Sequence, residues 1–172
     1  MKRFFCTILV MVVTVLSLQA QTIKGSFSAL KDQSRVRLEV DFSEAEIHGM
    51  SEEAFARYET DWEKDKPEVV AKIVRECNDA IWGSVRVGQY KDTRYVILLK
   101  VRAISDHGDF DCDAVLLDEE GKEVGAIDGL WGRGGKFGTK LNLIKDGAER
   151  VGDCLGRYLQ RAINESPRVY SI

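Results

Sequence analysis

The chain has 172 residues, 28 of them acidic and 25 basic, for a formal charge of −3, and 44% of its residues are hydrophobic. The mildly acidic balance disfavours nucleic acid as a partner, because that binding rests on clustered Lys and Arg that neutralise phosphates. The length suits one domain with its own core rather than two.

Residues 1–20 read as a secretory signal peptide. Lys2 and Arg3 open it, an apolar run follows from Phe4 to Leu16, and Ser17, Gln19 and Ala20 make a smaller, more polar end. The run is short of the ~20 residues that a membrane-spanning helix needs, and no second apolar stretch follows it, so no transmembrane segment is expected in the mature chain. Cys6 lies before most of the apolar run rather than directly after it, which argues against a lipid anchor. Removal of residues 1–20 takes the charge from −3 to −5. The expectation is an exported protein, periplasmic or outer-membrane-associated and not lipid-anchored.

Residues 35–42 alternate, with Val36, Leu38, Val40 and Phe42 on one face and Arg35, Arg37, Glu39 and Asp41 on the other, the pattern of a half-buried strand. Ser51 caps a helix with Glu52 and Glu53 in its first turn and a Met50–Phe55 staple. That helix is expected to end near Trp62, and a second to begin at Pro67, whose missing N–H costs nothing there. Val69, Val70, Ile73, Val74, Cys77, Ala80 and Ile81 recur at helical spacing and turn Cys77 inward. Residues 84–88 suggest a short strand. Residues 94–105 form a long one, with Tyr95, Ile97, Leu99, Val101 and Ala103 on one face and Val96, Leu98 and Ile104 on the other, as in a central strand.

Phe110, Cys112, Ala114 and Leu116 alternate with aspartates, and residues 119–122 turn the chain into a strand from Glu123 to about Trp131. A glycine-rich stretch, residues 129–138, leads to a last helix whose stripe is Ile144, Ala148, Val151, Leu155, Tyr158, Leu159 and Ala162, with Cys154 at its border. Residues 167–172 read as a flexible tail. The expected fold is one α+β domain over residues 21–166. Its antiparallel or mixed sheet has about four to five strands, with two to three amphipathic helices packed on it.

Asp109, Asp111 and Asp113, with Glu120 as the twelfth residue, match part of a calcium-loop spacing. Ala114 stands where the loop needs glycine, and the flanks read as strands, so a solvated strand face is the expected role and no metal is expected. The glycine-rich stretch invites an anion reading in which Trp131, Arg133 and Lys136 line a ligand site. Gly138-Thr139-Lys140 reverses the P-loop order and Phe137 stands where a dinucleotide fingerprint needs its third glycine, so a mobile connection is expected instead.

His48 and His107 lie in polar segments that suggest solvated side chains, and no nucleophile motif accompanies them. Trp62, Trp82 and Trp131 suit a core or a groove. Cys77, Cys112 and Cys154 are odd in number and lack C-x-x-C spacing; they read as buried small hydrophobes, with a Cys77–Cys154 disulfide as the alternative. No catalytic residue or cofactor is expected.

The run Arg94-Tyr-Val-Ile-Leu-Leu-Lys-Val-Arg102, the hairpin Ala114-Val-Leu-Leu-Asp-Glu-Glu-Gly-Lys-Glu-Val124, and the helix from Gly147 to Leu159 after a glycine-rich loop are similar to a group of envelope proteins. These share the fold of the amino-terminal domain of TolB and of the periplasmic domain of the curli secretion channel. The leader ending Leu18-Gln-Ala-Gln21 resembles those of Bacteroidetes secreted proteins of uncharacterised function. The resemblance implies a non-enzymatic domain that works by contact with an envelope protein partner, with homo-oligomerisation as one form of that contact. A small-ligand-binding domain at the glycine-rich loop and a hydrolase using His107 with neighbouring aspartates stand as alternatives.

Overall fold

The computed structural model describes residues 22–83 and 85–165. The leader, Cys6, Ser84 and residues 167–172 lie outside the described residues.

The elements run β1 (Thr22–Gly25), β2 (Arg35–Asp41), β3 (Glu46–Ile47), β4 (Met50–Ser51), α1 (Glu52–Tyr58), α2 (Trp62–Ala80), β5 (Arg86–Gly88), β6 (Val96–Ile104), β7 (Phe110–Leu117), β8 (Glu123–Gly132) and α3 (Lys140–Asn164). The fold is α+β, with one mixed sheet in the order β1-β8-β7-β6-β2-β5 and β3 beside the far end of β6. The sheet has eight strands, not four to five. β1, β3 and β4 are two to four residues long, too short for alternation to announce them. β6, β7, β8 and β1 are antiparallel neighbours, whereas β2 runs parallel to both β6 and β5 because the two helices carry the chain across between β2 and β5.

α2 and α3 pack on each other and cover one sheet face. Val36, Leu38, Ile97, Leu99, Cys112, Ala114, Leu116 and Ile127 are buried beneath them, as are Ile73, Ile144, Val151 and Leu155 of the helices. Arg37, Glu39, Lys100, Asp111 and Asp113 lie on the opposite face, which carries neither α2 nor α3.

Two departures from alternation reshape the sheet. A bulge between Val101 and Ala103 returns Ile104 to the face of Ile97, where it is buried opposite Phe110. A second bulge, between Ile127 and Leu130 of β8, contains Gly129 at φ +73°. Its N–H has lost its ladder partner and donates instead to Oδ1 of Asp113 at 2.8 Å. The other Asp113 oxygen meets Nη1 of Arg102 at 3.0 Å, and Nη2 of Arg102 donates to Asp111 at 2.5 Å. Asp113→Ala is therefore expected to cost about 1–3 kcal/mol, the penalty for a partly buried N–H left unpaired. Denaturant midpoints and faster amide exchange at Gly129 are the checks.

The helix boundaries differ from expectation. Ser51 caps α1 as expected, accepting from the Ala54 N–H at 3.3 Å, but α1 ends at Tyr58 and α2 begins at Trp62. Pro67 lies inside α2 rather than at its start. The helix begins early because the Trp62 ring is wholly buried, edge-on to both Phe42 and Phe55, so core burial outweighs the one backbone bond that Pro67 removes.

The two ends of the sheet are finished differently. At the β5 end, Asn78 of α2 acts as a substitute strand: its Oδ1 accepts from the Val87 N–H at 2.9 Å and its Nδ2 donates to the Val87 carbonyl at 2.8 Å. At the other end, Thr22–Gly25 of β1 pairs with residues 125–128 of β8, which continues to Gly132.

Candidate functional site

The end of β8 leads into the glycine-rich segment, which is tied down at Gly134. In the turn joining β6 to β7, the Ser105 hydroxyl accepts from the N–H groups of His107 and Asp109, at 3.2 and 3.0 Å, and donates to Oδ2 of Asp109 at 2.9 Å. The other Asp109 oxygen accepts from the Gly134 N–H at 2.8 Å and so fastens the glycine-rich segment to this turn. A Cβ on Gly134 would lie 1.9 Å from the His107 carbonyl oxygen. Here glycine permits backbone to touch backbone. Thr139 then caps α3, accepting from the Asn142 N–H at 3.3 Å.

This clamp projects a cluster of side chains. Trp131 is 51% exposed and Phe137 89% exposed. Trp131, Arg133, Gly134, Lys136, Asp146 and Arg150 line a shallow groove of about 650 Å³. The structure thus brings together Trp131, Arg133 and Lys136, the ligand-site residues read from the sequence, and adds Arg150 from α3. Sequence reasoning missed Arg150 because it is one of several charged residues on the outer side of an amphipathic helix, and only the packing of that helix against β8 selects it. Among the described residues, Arg133, Lys136 and Arg150 have no ion-pair partner, whereas Glu149 is held by Lys72 and Arg75, and Asp153 by Arg157 at 2.5 Å. The groove therefore carries unspent positive charge.

The aspartates do not converge. Asp111 and Asp113 grip Arg102, Asp109 holds the glycine-rich segment, and Glu120 sits in the exposed turn between β7 and β8, where its N–H binds Asp118. Among the described residues no three His, Cys, Asp or Glu side chains are arranged to hold a metal ion. His107 is exposed, and its ring makes no hydrogen bond among the described residues.

Cys77, Cys112 and Cys154 are buried and form no disulfide among the described residues. The alternative Cys77–Cys154 bridge is not formed. Burial pushes the Cys77 and Cys112 thiols well up, so neither supplies a thiolate.

His48 departs most from expectation. It is not solvated: its side chain is 2% exposed, at the tip of the β3–β4 hairpin. His48 and Gly49 both have positive φ, +52° and +76°, which is the backbone of a type I′ two-residue turn. The ring lies 5.1 Å from that of Phe55, and Nδ1 is 3.7 Å from Asp106. Neither ring nitrogen has a hydrogen-bond partner among the described residues. Burial lowers its pKa below the usual 6.5, and the Asp106 carboxylate opposes this only in part.

A base with a depressed folded pKa binds protons more readily in the unfolded chain, so stability falls as pH drops through about 6.5 toward the folded pKa. His48→Asn keeps a residue suited to positive φ and is expected to flatten that slope between pH 7 and pH 5. Urea midpoints across this range check it; an unchanged slope would assign the dependence to other groups.

Comparison with known proteins finds no family model that matches the chain and no curated protein that matches it. Among the described residues, no helix is long and apolar enough to cross a membrane. Among solved structures, the chain is similar to the PelC dodecamer from Paraburkholderia phytofirmans, at 15% identity and a TM-score of 0.43. It is also similar to a point variant of that dodecamer, at 17% identity and a TM-score of 0.44. In both cases the likeness covers 81% of this chain and 97% of the other.

Proposed function

We propose that this chain is a non-enzymatic domain of the cell envelope, exported to the periplasm or the outer-membrane surface, and that it works by binding an envelope protein. The observation that carries the reading is the grouping of the half-exposed Trp131 with Arg133, Lys136 and Arg150, which have no ion-pair partner among the described residues, in one groove between β8 and α3. Aromatic and Arg side chains are the residue types that dominate the binding energy of protein interfaces. An exposed indole beside three cations gains nothing in stability from being left in water. Self-association belongs to the same reading as one form of contact.

Chemical crosslinking in intact envelopes, followed by mass spectrometry, tests it. Adducts of defined mass that include residues 131–137 are expected, and native mass spectrometry of the purified protein separates copies of this chain from a different partner. Recovery as an uncrosslinked monomer under all conditions counts against it. The groove also favours a second reading, a small anionic ligand held by the same three cations; saturable binding of a small carboxylate or phosphate at micromolar concentration would select that reading.

A further inference from the structure

Trp131 also bounds a second groove, of about 530 Å³, at the end of the sheet where β3 joins it. The strand register explains its shape. Glu46 of β3 pairs with Ala103 of β6, Ala103 with Asp111 of β7, and Asp111 with Trp131 of β8, so these four residues form one row across the sheet. The groove passes over the small Ala103, and its rim is completed by the turn joining β6 to β7, with Asp106, and by His48 at the tip of the β3–β4 hairpin. Four carboxylates line it, from Glu46, Asp106, Asp109 and Asp111, and no lysine or arginine does. Asp109 is spent on Ser105 and Gly134, and Asp111 on Arg102. Glu46 and Asp106 have no lysine or arginine partner among the described residues, and the Asp106 side chain is 82% exposed.

Carboxylates alone would be an ordinary solvated surface, but these surround a polar ring that is not solvated. The His48 side chain is 2% exposed and neither of its nitrogens has a hydrogen-bond partner among the described residues. Leaving such a group unpaired costs about 1–3 kcal/mol, which a ligand that supplies the missing partner recovers. Burial favours the neutral ring; Asp106 and Glu59 act against this, and Lys140 acts with it from its position over the Tyr58 ring. A neutral imidazole offers one lone pair as acceptor.

We infer that this groove binds a primary alkylammonium group, its N–H groups donated to Asp106, Glu46 and the His48 ring and its methylene stem laid against the Trp131 indole. An ammonium has three donors and no acceptor, which matches a site of two uncommitted carboxylates and one imidazole lone pair. Cations and their aliphatic stems also pack favourably on tryptophan. A metal ion is a poorer occupant, because among the described residues no three His, Cys, Asp or Glu side chains are arranged to hold one. The site goes beyond the protein-contact reading and does not depend on what fills the neighbouring groove. A lysine side chain of another protein and a free amine share this chemistry.

Titration of the purified protein with a (Lys-Ser)5 peptide, its Nε-acetylated counterpart and 1,5-diaminopentane tests the site, read by calorimetry and by the histidine side-chain 15N signals. His48 and His107 are the two histidines of the chain, so their signals are readily told apart. The unmodified peptide or the diamine is expected to bind and to shift the His48 signals, with the acetylated peptide inert. Tighter binding of the peptide assigns the ammonium to a protein side chain, and equal or tighter binding of the diamine assigns it to a small amine; both support the site. Asp106→Asn and Glu46→Gln, both on the surface and expected to leave the melting temperature unchanged, should each weaken binding about tenfold. Equal binding of the acetylated peptide, binding that leaves the His48 signals unmoved or survives both substitutions, or no binding of peptide and diamine alike overturns the inference. Such a failure leaves the protein-contact reading intact, since crosslinking at residues 131–137 tests that reading separately.

Discussion

Alanine in place of Trp62 is expected to destabilise the fold by about 3–5 kcal/mol, the usual range for truncating a fully buried large aromatic. The indole has no exposed surface, meets Phe42 and Phe55 edge-on at centroid distances of 5.6 and 5.4 Å, and donates from Nε1 to Glu52 at 3.3 Å. The substitution removes two aromatic contacts, leaves a cavity under α1 and α2, and deprives Glu52 of one of its two partners; the other, Lys66, lies at 2.5 Å. For a domain of this size the melting temperature should fall by roughly 10 °C or more. Trp82→Ala is the control: it removes an exposed ring and should change stability by no more than about 0.5 kcal/mol. Equal effects at the two positions would refute this account of the core.

Gly147→Ala should also destabilise, although local propensity argues the opposite. Alanine in a helix interior gains about 1 kcal/mol over glycine. At Gly147, however, the new Cβ would lie 1.9 Å from the Gly108 carbonyl oxygen and 2.9 Å from the Phe110 ring. Relief requires α3 to move off the sheet, and the turn cannot retreat instead. Gly108 itself lies against α3, where even a Cβ on it would come within 2.2 Å of the Leu143 carbonyl oxygen. Forced overpacking of this kind costs about 1–3 kcal/mol and occasionally more. After the propensity gain, the net expectation is a loss of about 1–2 kcal/mol, toward the upper end because backbone meets the new Cβ, and a fall in melting temperature of about 3–6 °C. Gly121→Ala calibrates the measurement, because Gly121 has φ +76° with nothing near its missing Cβ and so reports backbone strain without a clash. A melting temperature raised by Gly147→Ala would mean that α3 does not approach the β6–β7 turn so closely.

What the sequence made legible was set by the length of each pattern. Val36, Leu38 and Phe42 announced their strand because alternation over eight residues cannot be mistaken for a helix, and the stripe of α3 was equally plain. Ile104 was assigned to the wrong face because a single inserted residue reverses everything after it, and the break in phase at residues 101–104 was the only trace. The two-residue strands β3 and β4 carry no period at all. His48 looked solvated because its neighbours in sequence are polar, whereas its neighbours in space include Phe55. Trp131, Arg133 and Lys136 could be grouped because they are close along the chain. Arg150 and Asn78 could not, since their roles exist only once α3 and α2 are docked.

The amide of Asn78 also bears on how far assembly can proceed. A sheet with two receptive ends can propagate indefinitely, each added copy offering a fresh end to the next. Here both backbone groups of Val87 in the outer strand β5 are occupied by a side chain of the same molecule. A second copy adding a strand at β5 would first have to break both of those bonds, so this edge is withheld from edge-to-edge growth.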